Sequence, residues 1–318
     1  MYGLGREGAP FSGRVWQEID HIVGSVRAAN CTARRFLEVD GPYGLGLISV
    51  AGAEQYLAPI GLGAPYERWN VTQPPRPPGD DLAEIGPGTY LAQGLSRPVP
   101  LIASEFRLGV RSIEAFEALC QPLDLCAATN AARDVALEEE RLFYYGALGE
   151  EEALLNILRV NGVPQNETII DADEIFNGLH VAIRALASRG YAGPFALAVD
   201  PQTYSALYSP VTSTPESPLS VPVLLVDLLR NLFRGGIYMV PVIDPLRDGN
   251  LFRIGAVITL GRAYLRLVVG QDWVTAYRGC QGVLYRFIIQ TSLQLRVCDP
   301  RSIQVLRYKS RPTSYGQQ

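Results

Sequence analysis

The chain has 318 residues, of which 47% are hydrophobic and 19% are charged, and its formal net charge is −4. This composition excludes a disordered chain, because it can bury a substantial core. The weakly negative balance provides no basic field to attract nucleic acid or an anionic membrane surface, so neither is an expected partner.

The five cysteines, Cys31, Cys120, Cys126, Cys280 and Cys298, are odd in number and form no C-x-x-C pair. A zinc site or a disulfide framework is therefore not expected, and the pattern favours buried free thiols in a reducing cytosol. The first residues lack the apolar core of a signal peptide, and no apolar run reaches the roughly 18 residues that span a bilayer. We therefore expect a cytoplasmic protein without a membrane partner.

The first predicted element is an amphipathic helix over about 13–29. Ser12 is a suitable N-cap, and apolar residues that include Trp16, Ile19 and Val23 recur at helical spacing. Such a stripe needs a surface to lie against. Either the chain's own domain or a second chain could supply that surface.

The pattern changes between Gly44 and Pro100. Short β-like pieces flank a proline-rich segment, 74–78, in which four of five residues are proline. Proline joins neither a helix nor a ladder and favours a stiff extended segment. A long excursion of this kind is expected to be a projecting hairpin that reaches a neighbouring subunit.

Alternating residues over 99–110 predict a strand, which is followed by a short helix over about 112–120 and a long helix over about 124–145. Beyond them the predicted elements are a helix capped by Asp171 or Asp173 and closed by Gly190, a buried strand at 195–199, a helix at about 201–208, a helix at about 222–233 and several C-terminal strands. Helices and strands do not alternate as a doubly wound sheet requires, so the predicted fold class is α+β.

Three consecutive carboxylates, Glu138, Glu139 and Glu140, lie on the long predicted helix. Consecutive helical residues point about 100° apart, so these three cannot converge on one metal ion. A di-iron bundle would need Glu-x-x-His on each of two paired helices, and the sequence does not supply such a pair. The cluster therefore predicts a solvated or interface face of the helix.

Catalytic motifs are missing from the sequence. It contains neither G-x-S-x-G nor a Walker loop nor H-E-x-x-H. Its two histidines, His21 and His180, fall on predicted helices, and no local pattern supports a Cys126–His180 nucleophile pair. We therefore predict no catalytic residue, no metal site, no cofactor and no enzymatic activity.

A series of short motifs carries a family resemblance in the order of the chain. The motifs are Ala9-Pro10-Phe11-Ser12 with Trp16, the run 34–42, Pro122-Leu123-Asp124, the run 139–146, the run 193–197, Gly235-Gly236-Ile237-Tyr238, Gly270-Gln271-Asp272 and the run 287–300. With them the chain resembles the encapsulins, prokaryotic shell proteins with the tailed-phage major-capsid fold, over about residues 9–307. The run 34–42 is similar to the strand that follows the first helix of that family.

The resemblance implies a domain organisation. The expected parts are an N-terminal arm and helix (1–43), an extended loop or E-loop (44–98), a P-domain with a long spine helix (99–189 and 284–308), an A-domain (190–283) and a flexible tail (309–318). It also implies a shell that assembles from copies of itself into a closed icosahedral compartment. Cargo enzymes would be held inside through a C-terminal targeting peptide, with a ferritin-like protein or a peroxidase as cargo, for iron storage or oxidative-stress defence.

The resemblance further implies two sets of site residues. The pocket for the targeting peptide would use Trp16, Ile19, Val23, Arg34, Phe36, Val39 and Asp40, with Phe287, Ile289 and Leu293 opposite them. A polar, weakly acidic five-fold pore would be lined by Thr212, Ser213, Thr214, Glu216 and Ser217.

Two alternatives stay open at this point. The first is a phage or prophage major capsid protein that packages DNA. It would share the fold, although the amphipathic N-terminal helix argues against it. The second is a soluble enzyme with an unrecognised site, which would form a small oligomer.

Overall fold

A computed structural model of the chain describes residues 5–58, 67–70, 91–146, 167–170, 175–208, 210–211, 223–243 and 252–308. The proline-rich segment 74–78, the predicted pore residues 212–217 and the tail 309–318 lie outside the described residues. The α-helices in the described part are α1 (Gly13–Asn30), α2 (Val110–Leu119), α3 (Cys126–Tyr145), α4 (Ile175–Ser188), α5 (Pro201–Ala206) and α6 (Leu225–Arg230).

The strands in the same residues form four sheets. They are β1 (Val39–Asp40), β2 (Ser49–Ala58), β3 (Glu67–Asn70), β4 (Leu91–Pro98), β5 (Leu101–Gly109), β6 (Glu167–Ile170), β7 (Phe195–Val199), β8 (Pro210–Val211), β9 (Val223–Leu224), β10 (Ile237–Met239), β11 (Phe252–Thr259), β12 (Leu265–Gln281), β13 (Leu284–Val297) and β14 (Ile303–Tyr308). The mixture of helices and antiparallel-rich sheets confirms the α+β class.

The two longest helices follow their predicted bounds closely, because local signals specify them. Ser12 is the N-cap of α1, and the apolar stripe that includes Trp16 and Ile19 is buried. The long helix α3 ends at Gly146, whose φ of 79° lies in the region that glycine adopts readily. Its N–H donates to the carbonyl of Leu142 at 3.0 Å and so closes the last turn.

A four-stranded sheet has the order β1-β12-β13-β5. The three long strands are antiparallel, whereas the short β1 runs parallel to β12. Helices α1 and α3 cover one face of this sheet and bury a core between them. The fully or almost fully buried members of that core include Val15, Ile19, Phe106, Ile113, Ala128, Val135, Phe287 and Ile289.

A five-stranded sheet has the order β10-β7-β11-β14-β6. Its strand β7 is buried at every residue, as the continuous apolar run predicts, and α4 and α6 contribute to the core beside it. At Gly255 the φ is 156°, and a Cβ would lie 2.1 Å from the carbonyl oxygen of Ala198. Only glycine fits at this irregularity, where the register of β11 against β14 shifts.

A third core joins the two sheets. It contains Phe143 and Tyr144 from the end of α3, together with side chains of both sheets. Those side chains include Ala196, Ala198, Ala256, Ile258, Leu267, Leu293, Leu295, Ile303 and Val305. The apolar side chains of the last turns of α3 therefore pack against both sheets.

The predicted projecting segment contains a three-stranded sheet of order β3-β2-β4. β2 and β4 form a long antiparallel pair in which Ser49 faces Pro98 and Leu57 faces Leu91. β-like pieces were predicted here, although shorter ones, because the irregular register between Ala51 and Glu54 breaks the alternation.

The sheets draw strands from stretches that the resemblance assigns to different domains. β12 lies within 190–283 and pairs along its length with β13 of 284–308, while β14 of 284–308 pairs with β11. The domain bounds given above stay predictions.

Three expectations need correction. The thiols are free, but Cys120, Cys126 and Cys280 are exposed and only Cys31 is buried, because the others lie at element ends. The run 34–42 is not a continuous strand: residues 33–35 form a 3-10 turn and only β1 is extended. The helix predicted at 222–233 is α6 alone, preceded by the two residues of β9.

No helix in the described ranges combines the length and apolarity needed to cross a bilayer.

Candidate functional site

Five of the predicted pocket residues lie inside the core between α1 and the four-stranded sheet. Trp16, Ile19 and Val23 on α1 face Phe287 and Ile289 on β13, and all five are buried. The structure therefore brings them together, but as a closed core rather than as an open pocket. In the described conformation they offer no free surface to a peptide.

Two further predicted residues, Phe36 and Leu293, belong to the core that joins the two sheets. The ring of Phe36 packs on that of Tyr238 with centroids 5.1 Å apart. They are therefore separated from the α1 core and are buried as well.

Arg34 ties three elements together by charge. Its Nε lies 2.5 Å from Oε1 of Glu139 on α3, and its Nη1 lies 3.0 Å from Oδ1 of Asp272 on β12. The indole N–H of Trp273 donates to Oε2 of Glu139 at 2.7 Å. Glu139 is wholly buried, so its charge depends on these partners.

The neighbouring carboxylate, Glu140, fixes the turn that follows α1. It accepts hydrogen bonds from the backbone N–H of Ala33 at 3.1 Å and from the hydroxyl of Thr32. Burial raises the pKa of Glu140 to about 7, against the lowering effect of those hydrogen bonds. Burial, together with Glu139 and Glu140, also raises the pKa of the nearby Cys31 thiol.

The prediction of a solvated or interface face for the three carboxylates was therefore wrong for two of them. Glu138 is exposed and pairs with Arg141, but Glu139 and Glu140 point into the protein toward residues 32–34. Their partners lie more than 100 positions away in sequence, so local spacing gave no sign of them.

Of the predicted residues, Val39 on β1 is exposed, and its neighbour Asp40 is partly exposed, with 19% of its side chain accessible. Val39 is 50% exposed. Asp40 accepts hydrogen bonds from the hydroxyl of Tyr43 at 2.7 Å, from Arg262 at 3.3 Å and from Arg266 at 3.4 Å. The Tyr43 hydrogen bond, followed by the two arginines, lowers the pKa of Asp40.

β1 is the edge strand of its sheet. The sheet order places β12 on one side of it, and among the described residues no strand lies on the other side. At Gly41 the φ is 121° and a Cβ would lie 2.4 Å from the carbonyl oxygen of Val269, so glycine is required where the chain leaves β1. The chain then continues along β12, with the N–H of Tyr43 donating to Val269 at 3.1 Å.

Exposed apolar side chains continue along this edge. Tyr43 is 61% exposed and Ile48 is 77% exposed, with Leu45 between them. We call Val39, Asp40, Tyr43, Arg262 and Arg266 the edge site. It combines a strand edge, two exposed apolar side chains and a carboxylate held between two guanidinium groups, an arrangement suited to an extended peptide.

Sequence reasoning found only part of the edge site. Tyr43 lies beside the recognised run 34–42, so its neighbourhood was a signal. Arg262 and Arg266 were missed, because they lie more than 220 positions from Asp40 and no spacing rule connects them. In the part of the chain that the structure describes, no three His, Cys, Asp or Glu side chains are grouped as metal ligands.

The comparison with known proteins gives a family and a fold. The family model described as "Encapsulating protein for peroxidase" matches residues 1–294. The type 1 encapsulin shell protein EncA of Myxococcus xanthus is 28% identical over 309 residues, which cover 95% of this chain and 96% of that protein. The diheme-cytochrome-encapsulin shell fusion protein of Kuenenia stuttgartiensis is 28% identical and is covered over 72% of its length.

Solved structures agree on the fold. The virus-like particle from Pyrococcus furiosus superposes with a TM-score of 0.57 at 21% identity, over 91% of this chain and 98% of that one. Mycobacterium phage Bobi superposes with a TM-score of 0.52 at 12% identity, over 89% and 91%. The predicted tailed-phage major-capsid fold is thereby confirmed, and the family match over residues 1–294 shows that this chain belongs to the encapsulin family.

Proposed function

We propose that this chain is a shell subunit that assembles with copies of itself into a closed icosahedral compartment enclosing cargo proteins in the cytoplasm. The observation that carries the proposal is the family match over residues 1–294. The capsid-type fold supports it, since proteins with this fold form closed particles in which unlike faces of neighbouring subunits meet.

The exposed apolar side chains of the single chain also support assembly. Tyr43, Ile48, Leu101, Leu119 and Val283 are each more than half exposed. They lie at sheet edges and element ends, where a neighbouring subunit could cover them. Single exposed apolar residues are common on protein surfaces, so these five side chains do not by themselves locate an interface. They are consistent with the large interfaces of an obligate assembly.

Cargo is the second part of the proposal. Two relatives are named as fusions of a shell to a diheme cytochrome and to a ferritin-like protein. In those proteins shell and guest are one chain, whereas a separate guest needs a docking signal. We infer that a C-terminal peptide of a ferritin-like protein or peroxidase docks on the edge site, because this is the accessible part of the predicted pocket.

The edge site offers such a peptide complementary chemistry. Added as a further strand beside β1, the peptide would form main-chain hydrogen bonds, while an apolar side chain would cover Val39 and Tyr43. Its C-terminal carboxylate could pair with Arg262, whose side chain is 63% exposed although it touches Asp40. Many copies of the peptide on one cargo oligomer would raise the avidity.

Particle formation is the first test. The recombinant chain should elute as a megadalton species and show hollow spheres of uniform size by negative-stain electron microscopy. A subunit or small oligomer in mild buffer would contradict the proposal and would favour a small soluble protein. Particles whose absorbance at 260 nm exceeds that at 280 nm after nuclease treatment would instead favour a DNA-packaging capsid.

A further inference from the structure

The first described residues, 5–12, lie on the surface of their own domain in a groove. We call this segment the arm, and the surface beneath it the arm groove, which is formed by Trp16, Asp20, Glu117, Thr275, Tyr277 and Tyr285. The backbone hydrogen bonds of Gly8 and Ala9 go to Gly5 and Arg6 within the arm itself. The arm is therefore held mainly by its side chains and by its two ends.

Phe11 is the apolar anchor of the arm. Its ring centroid lies 5.4 Å from that of Trp16, 5.7 Å from that of Tyr277 and 5.4 Å from that of Tyr285. The Tyr277 ring meets it edge-on at 89°. Below these rings lies Phe287, with a centroid distance of 5.7 Å. The groove thus forms an aromatic cup that takes one ring.

Arg6 is the polar anchor, five positions earlier. Its two terminal nitrogens each lie 2.7 Å from an oxygen of Asp20, and its Nε donates to the carbonyl of Thr275 at 2.9 Å. The guanidinium carbon also lies 4.3 Å from the ring centroid of Trp16. The planar guanidinium thus contacts a carboxylate, a carbonyl and a ring face at the same time. The ammonium group of a lysine lacks the planar shape and the set of donors needed for all three contacts.

Both ends of the arm touch the domain through the backbone. A Cβ at Gly5 would lie 2.5 Å from the carbonyl oxygen of Tyr277, so the arm begins in close contact with β12. At the other end the N–H of Ser12 donates to Oε1 of Glu117 on α2 at 2.5 Å, and that bond lowers the pKa of Glu117.

These contacts have the form of a bound peptide that makes one 3-10 turn at Arg6–Gly8. One aromatic side chain fills a cup, one guanidinium is paired on three sides, and Glu7 between them is exposed. We propose that the arm groove is a peptide-binding site whose resident ligand is the chain's own arm. Its ligand class is a short peptide with arginine in a 3-10 turn, followed five residues later by an aromatic residue.

The arm also limits the access of partner peptides to the rings beneath it. Trp16 and Phe287, two residues predicted to contact cargo, lie directly beneath Phe11. A partner peptide that reaches these rings has to displace the arm and supply its own aromatic side chain. The binding site is independent of the proposed shell function, because its ligand is part of the same chain.

The test removes the arm and returns it as a separate peptide. A variant lacking residues 1–11 is titrated with a fluorescein-labelled peptide of residues 1–12, and binding is followed by fluorescence anisotropy. We expect saturable binding with a dissociation constant on the order of 100 μM and at least tenfold weaker binding to the intact chain, whose groove is occupied. The Phe11→Ala peptide should bind the deletion variant about tenfold more weakly.

The matched control is the Glu7→Ala peptide, which should bind like the original because Glu7 is exposed. Equal binding of the Phe11→Ala peptide, or no saturation up to about 1 mM on a deletion variant with native circular dichroism, would overturn the proposal. Should the deletion variant not fold, the full-length Phe11→Ser chain replaces it and should bind the peptide more tightly than the unmodified chain does. Failure of particle formation would leave this binding result unaffected.

Discussion

A single carboxylate, Glu140, couples the turn after the first helix to the protonation state of the interior. Its folded pKa of about 7 lies above the ordinary value of 4.5. The folded state therefore binds the proton more tightly than the unfolded state does. The stabilisation is complete below about pH 4.5 and is lost as the pH rises through about 7.

Glu140→Gln should remove this pH dependence while keeping an acceptor for the N–H of Ala33. A shift from 4.5 to about 7 corresponds to about 3 kcal/mol, so the variant should match the unmodified chain below about pH 4.5 and exceed its stability above pH 7. At about 2 °C per kcal/mol, the midpoint temperature of thermal unfolding above pH 7 should be about 6 °C higher in the variant.

The control for this comparison is Glu138→Gln, two positions away on the same helix. Glu138 is exposed, with a side chain that is 54% accessible, and its partner Arg141 is equally solvated. That variant should keep the pH profile of the unmodified chain. Identical profiles for Glu140→Gln and the unmodified chain would show that Glu140 does not titrate in this range.

At the scale of elements, one guanidinium holds α3 and β12 against the turn after α1. Arg34 reaches Glu139 and Asp272, and Glu139 also accepts from Trp273. A buried pair of this kind adds little over apolar residues of the same size. Removing one partner alone is costly, because it leaves the other charge buried and unpaired.

Arg34→Met should therefore destabilise the chain by roughly 3–5 kcal/mol, seen as a fall of roughly 6–10 °C in the thermal midpoint. Adding Glu139→Gln should recover much of that loss, since glutamine is uncharged and still accepts from Trp273. Arg141→Met, at the solvated Glu138 pair, should change stability by less than about 1 kcal/mol. A double variant no more stable than Arg34→Met would rule out the unpaired charge as the cause.

The elements also show where sequence reasoning succeeds and where it stops. The helices α1 and α3 were predicted within two residues, because apolar periodicity, Ser12 and Gly146 are local signals. The burial of Glu139 and Glu140 was missed, because a charged run on a helix looks solvated until its distant partners are known. The interruption of the strand at 34–42 has the same origin, since Glu140 fixes the N–H of Ala33 in a turn.

At the scale of the whole molecule, a core and a binding pocket have the same sequence pattern. Trp16, Ile19 and Phe287 are apolar and periodic in either role, and only the structure shows that they are buried. The edge site was predicted through Val39 and Asp40 alone, because its arginines come from the far end of the chain. Composition and periodicity predicted only the α+β class. The specific fold was predicted from the family resemblance.

The cargo role of the edge site is testable in assembled particles. Val39→Asp should lower retention of a fluorescent reporter carrying the C-terminal 30 residues of a ferritin-like protein or peroxidase from the source organism. We expect about a tenfold loss, since burying a valine is worth roughly 1.5 kcal/mol and the new carboxylate opposes burial. Co-purified fluorescence per particle, at equal particle yield, is the measurement.

Val181→Asp on α4 is the matched control, because Val181 is also 50% exposed. It should load reporter as the unmodified shell does. If Val39→Asp loads as much reporter as the unmodified shell, the docking site lies elsewhere. A loss of loading in both variants would indicate a general effect of the added charge. Particle formation by both variants is required for the comparison.

The distribution of thiols has a practical consequence for mapping the assembly. Cys120, Cys126 and Cys280 are exposed on the single chain, whereas Cys31 is enclosed. Alkylation with a bulky maleimide reagent, before and after assembly, would show which of these three thiols a neighbouring copy covers. The chain thus carries its own natural set of chemical footprinting probes, with an internal reference in Cys31.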